Sequence, residues 1–219
     1  MKKTSYLFIL LIIFILVSSQ AFAGDPSQYD MIGFRGGVWR VEKADEEITS
    51  SPYKASAKTH SPYLELYFSL GLKKGFCLEF LLGSCSRGET RFDVDDGYFW
   101  ESVTIIPLSF GAKHFFLSRN LKKSWQPYTD LGISYVIGST KLDYGSFGSY
   151  RAFFEGYGET SSNFGFFAGG GLDYQISELL WLNFDIKHQW IKFSKEVGGL
   201  KDYRGARFTL GISYAIKQK

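Results

Sequence analysis

The feature that most constrains this chain is a strict alternation of apolar with polar or small residues, repeated in segments of about ten. It is cleanest over residues 62–72, where Leu64, Leu66, Phe68 and Leu70 interleave with Tyr63, Glu65, Tyr67 and Ser69. Successive side chains of an extended strand point to opposite faces, so this period of two separates an apolar face from a polar one. A helix, with its period of 3.6, would scatter the same residues around its whole circumference.

Eight such segments are legible, at about residues 31–41, 62–72, 76–84, 98–114, 127–137, 163–175, 180–190 and 206–216. Each is long enough to cross a bilayer at a tilt, which takes about 9–11 residues. The connections alternate in length. Those at about 42–61, 85–97, 138–162 and 191–205 are long and polar, whereas 73–75 and 176–179 are tight; the middle connection, 115–126, is longer than its counterparts. Short turns at one end and long loops at the other are the arrangement of a transmembrane barrel in the outer membrane. The first half of the fourth segment is apolar on both parities, for which a bulge near Pro107 is the expected cause, since proline inside a sheet marks bulges or edges.

The N-terminus carries its own signal. Lys2 and Lys3 precede an apolar run from Tyr6 to Val17, followed by Ala21-Phe22-Ala23. A charged start, a short apolar stretch and an Ala-x-Ala site read as a secretory signal cleaved after Ala23, with an uncleaved anchor as the alternative. The domain expectation is therefore a signal peptide over 1–23 and a barrel over 24–219. Residues 1–23 hold two lysines and no acids, so the net charge falls from +3 to +1 on their removal. That balance gives no basic stripe for nucleic acid. Tyr 14, Phe 21 and Gly 24 against Pro 5 fit an aromatic, glycine-rich β protein.

A sheet survives in hydrocarbon only if it closes, because every backbone donor and acceptor must then be paired internally. Closure turns one parity inward, and that set contains Arg35, Glu65, Glu79, Glu101, Lys113, Asp130, Asp173, Asp185, Lys187 and Arg207. Eight strands leave an interior just wide enough for side chains to fill. Mixed charges in so narrow a space point to a paired network filling the barrel, with a charged conduction path as the alternative.

The segment Ile106-Pro107-Leu108-Ser109-Phe110-Gly111-Ala112-Lys113, then Gln126-Pro127-Tyr128-Thr129-Asp130-Leu131-Gly132, and the closing alternation from Phe208 to Tyr214 resemble the small eight-stranded outer-membrane barrels of the OmpA and OmpX type. The resemblance covers the whole chain beyond residue 23. It implies an all-β, closed antiparallel transmembrane barrel in the outer membrane of a Gram-negative cell envelope, with both termini periplasmic. It also implies outer-membrane lipids and lipopolysaccharide as surroundings. Such barrels serve as adhesins, enzymes, anchors and small channels, so the fold does not select an activity.

Chemistry has few places to reside. Of three histidines, His60 falls in the first long loop and His114 beside Phe115 and Phe116, where amphipathic rings gather at an interface. His188 points to lipid near Trp190. Lipid A deacylases of this barrel class carry a lipid-facing His-x-Ser; here the sequence reads His188-Gln189-Trp190, with Trp in place of the nucleophile and Ser194 further on. Cys77 and Cys85 sit eight positions apart in one strand, about 26 Å at ~3.3 Å per residue, too far for a disulfide. No catalytic, cofactor-binding or metal-binding residue is assigned, and no cofactor is expected. Asp93, Asp95 and Asp96 make the second loop acidic, while Tyr144, Phe147, Tyr150, Phe153, Phe154 and Tyr157 make the third aromatic. The functional expectation is a non-enzymatic barrel whose loops serve surface recognition, adhesion or envelope integrity, with an extracellular ligand as partner. A narrow channel and a lipid A-modifying enzyme are the alternatives.

Overall fold

The computed structural model describes residues 29–42, 55–56, 60–72, 75–94, 97–116, 125–144, 159–177 and 179–217. The signal segment and most of the first and third loops lie outside these residues. Eight strands form the wall: β1 (Tyr29–Val41), β3 (His60–Gly71), β4 (Phe76–Val94), β5 (Gly97–Phe115), β6 (Trp125–Tyr144), β7 (Thr160–Gln175), β8 (Leu180–Trp190) and β11 (Gly205–Lys217). Three shorter strands, β2 (Ala55–Ser56), β9 (Lys192–Val197) and β10 (Leu200–Asp202), belong to the connections.

Each wall strand pairs antiparallel with its neighbour in the chain, and β1 pairs β11 from Tyr29↔Lys217 to Val41↔Gly205, so the sheet closes without an edge. Closure satisfies the backbone around the full circumference, which hydrocarbon demands. The pairing of Tyr29 with Lys217 puts the first and last described residues at one end, here the terminal end. Long connections gather at the other, the loop end. At the terminal end Gly75 takes φ +76°, which a residue with a side chain rarely adopts, and so turns β3 into β4.

The alternation read from the sequence is the alternation of the wall. Phe34, Leu66, Leu82, Phe110, Ile133 and Leu210 are exposed on the outer face, while Arg35, Glu65, Glu79, Lys113, Asp130, Asp173, Asp185, Lys187 and Arg207 are buried inside. The side chain of Glu101 lies outside those described. Aromatic pairs stand on the outer face at both rims: Trp125 and Tyr174 at 4.4 Å towards the terminal end, Phe166 and Trp190 stacked at 4.7 Å towards the other.

Three expectations need correction. The stretch 85–97 is not a long loop: β4 and β5 continue as a paired ladder to Val94↔Gly97. His60 is not a loop residue, since it opens β3 opposite Arg40. The irregularity is not at Pro107, which pairs with Val136 in an unbroken β5–β6 register. It lies across the sheet, between Ser86↔Thr104 and Gly88↔Val103, where Arg87 is the extra residue of β4. A bulge of this kind re-aims a side chain, and Arg87 is buried in the interior.

Candidate functional site

Inward glycines make room for the polar interior. Tyr67 lies across Gly33, its register partner, and Tyr128 across Gly171, so that a Cβ on either glycine would stand within 2.5 Å of the ring or its hydroxyl. Tyr63 covers Gly83 in the same way. Folded flat along the wall, the Tyr67 and Tyr128 rings deliver their hydroxyls to partners on β8, and Tyr63 delivers its own to a neighbour on β3. Tyr63 donates to Glu65 at 2.8 Å, Tyr67 to Asn183 at 2.7 Å and Tyr128 to Asp185 at 2.8 Å.

Between the rings runs one connected set of charges. Arg35 meets Glu65 at 3.1 Å, Glu79 at 3.5 Å and Asp185 at 3.7 Å. Lys113 meets Asp173 at 3.0 Å and Glu79 at 3.4 Å. Lys187 meets Asp130 at 2.9 Å and Asp185 at 3.1 Å, and Arg207 meets Glu65 at 3.6 Å. Arg35 also lies 3.8 Å over the Tyr67 ring and Lys113 3.6 Å over that of Tyr128. Every cation thus has more than one anionic or aromatic neighbour, the condition under which buried charge is tolerated. Below this layer, at the terminal end, Met31, Trp181 and Ala215 form one apolar cluster and Cys77, Phe115 and Tyr128 another.

Above it lies a feature that the period-two reading missed. The last connection folds back as the β9–β10 hairpin and caps the barrel mouth. Ile191, Phe193, Val197, Leu200 and Tyr203 of the cap pack with Trp39, Val41, Tyr63, Cys85, Ile105 and Val136 of the wall in one buried cluster. The first half of β5 is therefore apolar on both parities for a simple reason: Val103 and Ile105 face the cap while Ile106 and Leu108 face outward. Arg87 holds the cap at two points. Its Nη1 donates to the Tyr203 hydroxyl at 2.8 Å and its Nη2 to the Gly198 carbonyl, while Tyr203 donates to the Val197 carbonyl at 2.5 Å. Gly198 and Gly199 turn the hairpin with φ of +57° and +73°. The outward side of the cap is charged, with Lys195, Glu196 and Lys201 exposed.

The remaining candidates sort plainly. His188 faces outward, its Nδ1 3.7 Å from Glu42 Oε1 and its ring 4.3 Å from that of Trp190. Ser194 stands on the exposed side of β9. His114 is buried beside Phe76 and Phe116 at the terminal rim. Cys77 and Cys85 are both free thiols in β4. Among the described residues no cluster of His, Cys, Asp or Glu has the arrangement of a metal site. Asp95, Asp96 and the aromatics from Phe147 to Tyr157 lie outside the described residues.

The sequence matches the profile of the outer membrane protein beta-barrel domain over residues 9–215. No curated protein matches it. Among solved structures it is similar to the outer membrane protein OprG from Pseudomonas aeruginosa, at 15% identity and a TM-score of 0.59, covering 89% of this chain and 98% of that one. A major outer membrane protein from Thermus thermophilus follows at 12% identity and 0.53, covering 87% and 100%. Ail, the attachment invasion locus protein of Yersinia pestis, in complex with the heparin analogue sucrose octasulfate, stands at 10% and 0.51, covering 87% and 99%. At these identities the likeness is one of fold. With the profile matched along nearly all of its length and its eight strands closed as in these barrels, the chain belongs to the outer membrane protein beta-barrel domain family.

Proposed function

We propose that this protein is a sealed, non-enzymatic outer-membrane barrel that works at its loop end, in recognition, adhesion or maintenance of the envelope. The observation that carries the reading is the filling of the lumen by three stacked layers: an apolar floor, a connected layer of charge and the hairpin cap. A path for ions would need hydrated charges along an open bore; here the charged side chains face one another. The termini are periplasmic in this reading, the loop end is extracellular, and lipopolysaccharide surrounds the outer half of the wall. That Ail, a barrel of like fold, has been captured with a sulfated saccharide supports recognition as a use of the architecture.

Recording from planar bilayers tests the proposal. The wild-type protein should give no resolvable single-channel steps, and stable conductance through the unaltered barrel would favour the narrow channel instead. Unchanged lipid A masses in expressing cells are the matching expectation for a protein without lipid-modifying activity.

A further inference from the structure

The outward residues that end the apolar band towards the loops differ between the two sides of the barrel. On β4, β5, β6 and β7 the band gives way to hydroxyls: Ser84, Ser86, Thr104, Ser139 and Ser162 face outward. Among the described residues, charge resumes on that side only beyond them, at Lys141 and Glu159. On β3, β1, β11 and β8 the band gives way to basic side chains. Arg40 is exposed and pairs in register with His60 on one side and Ala206 on the other, and Ala206 pairs with His188. One row across four adjoining strands thus reads His60, Arg40, Ala206, His188, and Lys192 stands exposed just beyond Trp190.

The depth of Arg40 follows from β1 itself. The outward residues Ile32, Phe34, Gly36 and Val38 lie between Asp30 and Arg40, ten positions apart. At about 3.3 Å per residue and a tilt of about 40°, that stretch rises about 25 Å, the height of the apolar band of an outer-membrane barrel. Arg40 therefore stands where hydrocarbon meets headgroups. The carboxylates around it are engaged elsewhere: Glu42 lies 3.7 Å from His188 Nδ1, and Asp202 accepts from Arg204 Nε at 2.8 Å. The Arg40 guanidinium has no acidic partner among the described residues. A cation that the protein leaves unneutralised at this level draws its counter-ion from the membrane, and a planar guanidinium matches the oxygens of a phosphate.

We propose that the β3–β1–β11–β8 side of the loop-end rim is a docking site for an outer-leaflet lipid, the phosphorylated headgroup of lipopolysaccharide, with Arg40 as the anchor of one phosphate. The proposal rests on the reading in which the loop end is extracellular and lipopolysaccharide surrounds that half of the wall. Adjoining strands stand about 4.8 Å apart, so His60 and Arg40 address the same phosphate. Ala206, a single methyl, leaves the guanidinium uncovered on its β11 side. The His188–Glu42 pair and the Trp190 ring bound the site on β8. Below the row the surface is continuous with the lipid face, where Val38, Phe208 and Phe34 are exposed to the acyl chains of the same lipid. The hydroxyl-bearing side has no such anchor at the edge of its band, so the charged contact with lipid is confined to one side of the barrel.

The test titrates the full chain, folded in detergent micelles, with diphosphorylated lipid A and with the same lipid after its phosphates are removed, and counts the lipid retained by native mass spectrometry. The phosphorylated form should bind about fivefold more tightly or better, the worth of one basic residue at an anionic membrane surface. Arg40→Gln should lose about that factor. Ala206→Glu removes no cation but sets a carboxylate beside Arg40 in the row; it should weaken the phosphorylated lipid to a similar degree and leave the dephosphorylated one unchanged. Lys141→Gln, on the hydroxyl-bearing side, should change neither, and inorganic phosphate should not displace the lipid. The proposal is overturned by equal retention of the two lipids, by unchanged retention in Arg40→Gln and Ala206→Glu, by an equal loss in Lys141→Gln, or by displacement with inorganic phosphate. Orientation is read separately: Ser194→Cys should be labelled on intact cells by a membrane-impermeant maleimide. Absence of label would overturn the extracellular loop end, and with it the outer-leaflet lipid, even where the micelle titration succeeds.

Discussion

Lys113 Nζ lies 3.0 Å from Asp173 Oδ2, an ion pair that joins β5 to β7 across the inner face of β6. Lys113 also holds Glu79 of β4 at 3.4 Å, so one ammonium ties strands on both sides of its own. Removing it leaves two buried carboxylates short of a partner. Lys113→Gln should therefore cost about 3–5 kcal/mol of unfolding free energy. Lys113→Gln with Asp173→Asn should cost less than the two single changes together, because the partner charge goes with it. Urea unfolding in lipid vesicles measures both; additive losses would mean that the pair does not act as a unit.

The outer face obeys the opposite rule. Leu66 and Leu210 are 54% and 65% exposed on the wall, as side chains surrounded by lipid must be. Replacing either with Arg places a charge where hydrocarbon cannot solvate it, and should cost about 2–4 kcal/mol near mid-membrane. The same unfolding experiment reads the loss, and a change below 1 kcal/mol at both sites would contradict the assignment of this face to lipid.

The wall was legible in the sequence and the cap was not, for reasons found in particular residues. Leu64 to Leu70 repeat every second position because each lies on a strand with lipid on one side and a filled lumen on the other. In the hairpin the inward residues are Phe193, Val197, Leu200 and Tyr203, spaced four, three and three apart across a tight glycine turn. That spacing is not the period of a strand but that of a helix, which the Gly198-Gly199 pair in its midst breaks, and the intervening lysines and glutamate read as a solvated loop. Arg87 escaped notice because its inward aim comes from a bulge that no residue type announces. The inward charges were found in advance, but their pairing depends on register between strands up to 150 residues apart, as for Arg35 and Asp185.

Two glycines separate space from mere small size. At Gly171 an added Cβ would stand 2.1 Å from the Phe184 carbonyl oxygen and 2.5 Å from the Tyr128 hydroxyl, whereas at Gly36 its nearest neighbour is a Leu64 methyl at 3.4 Å. Gly171→Ala must move backbone or expel Tyr128 from its bond to Asp185, and should cost about 1–3 kcal/mol. Gly36→Ala meets ordinary contact on the lipid side and should change stability by less than about 1 kcal/mol. Equal effects would show that the inward glycines do not seat the tyrosine rings.

Export makes a prediction about the chain's beginning. The Ala21-Phe22-Ala23 site should leave a mature protein that starts at Gly24 and fractionates with outer membranes. N-terminal sequencing of that fraction checks it, and an intact Met1 held in the inner membrane would contradict it.

The thiols test strand placement by chemistry. Cys77 pairs in register with Gly71 and Lys113, and Cys85 with Tyr63 and Ile105, so both stand on β4 at opposite depths of the lumen. Each is 1% exposed. Eight residues of strand separate them by about 26 Å, against a Cα limit of about 7 Å for a bridge. In folded barrels a maleimide should therefore label neither thiol quickly: Cys77 lies against Phe115 and Tyr128, and Cys85 under the cap. After unfolding in urea with no reductant, mass spectrometry should show two adducts per chain. Loosening the cap with Gly198→Val should speed labelling at Cys85 in the folded protein and leave Cys77 unchanged, because only the former is covered by the hairpin. Two adducts appearing only after reductant would place the thiols within reach of each other and contradict the continuous β4. Equal acceleration at both positions would mean that the substitution loosens the whole barrel rather than its mouth.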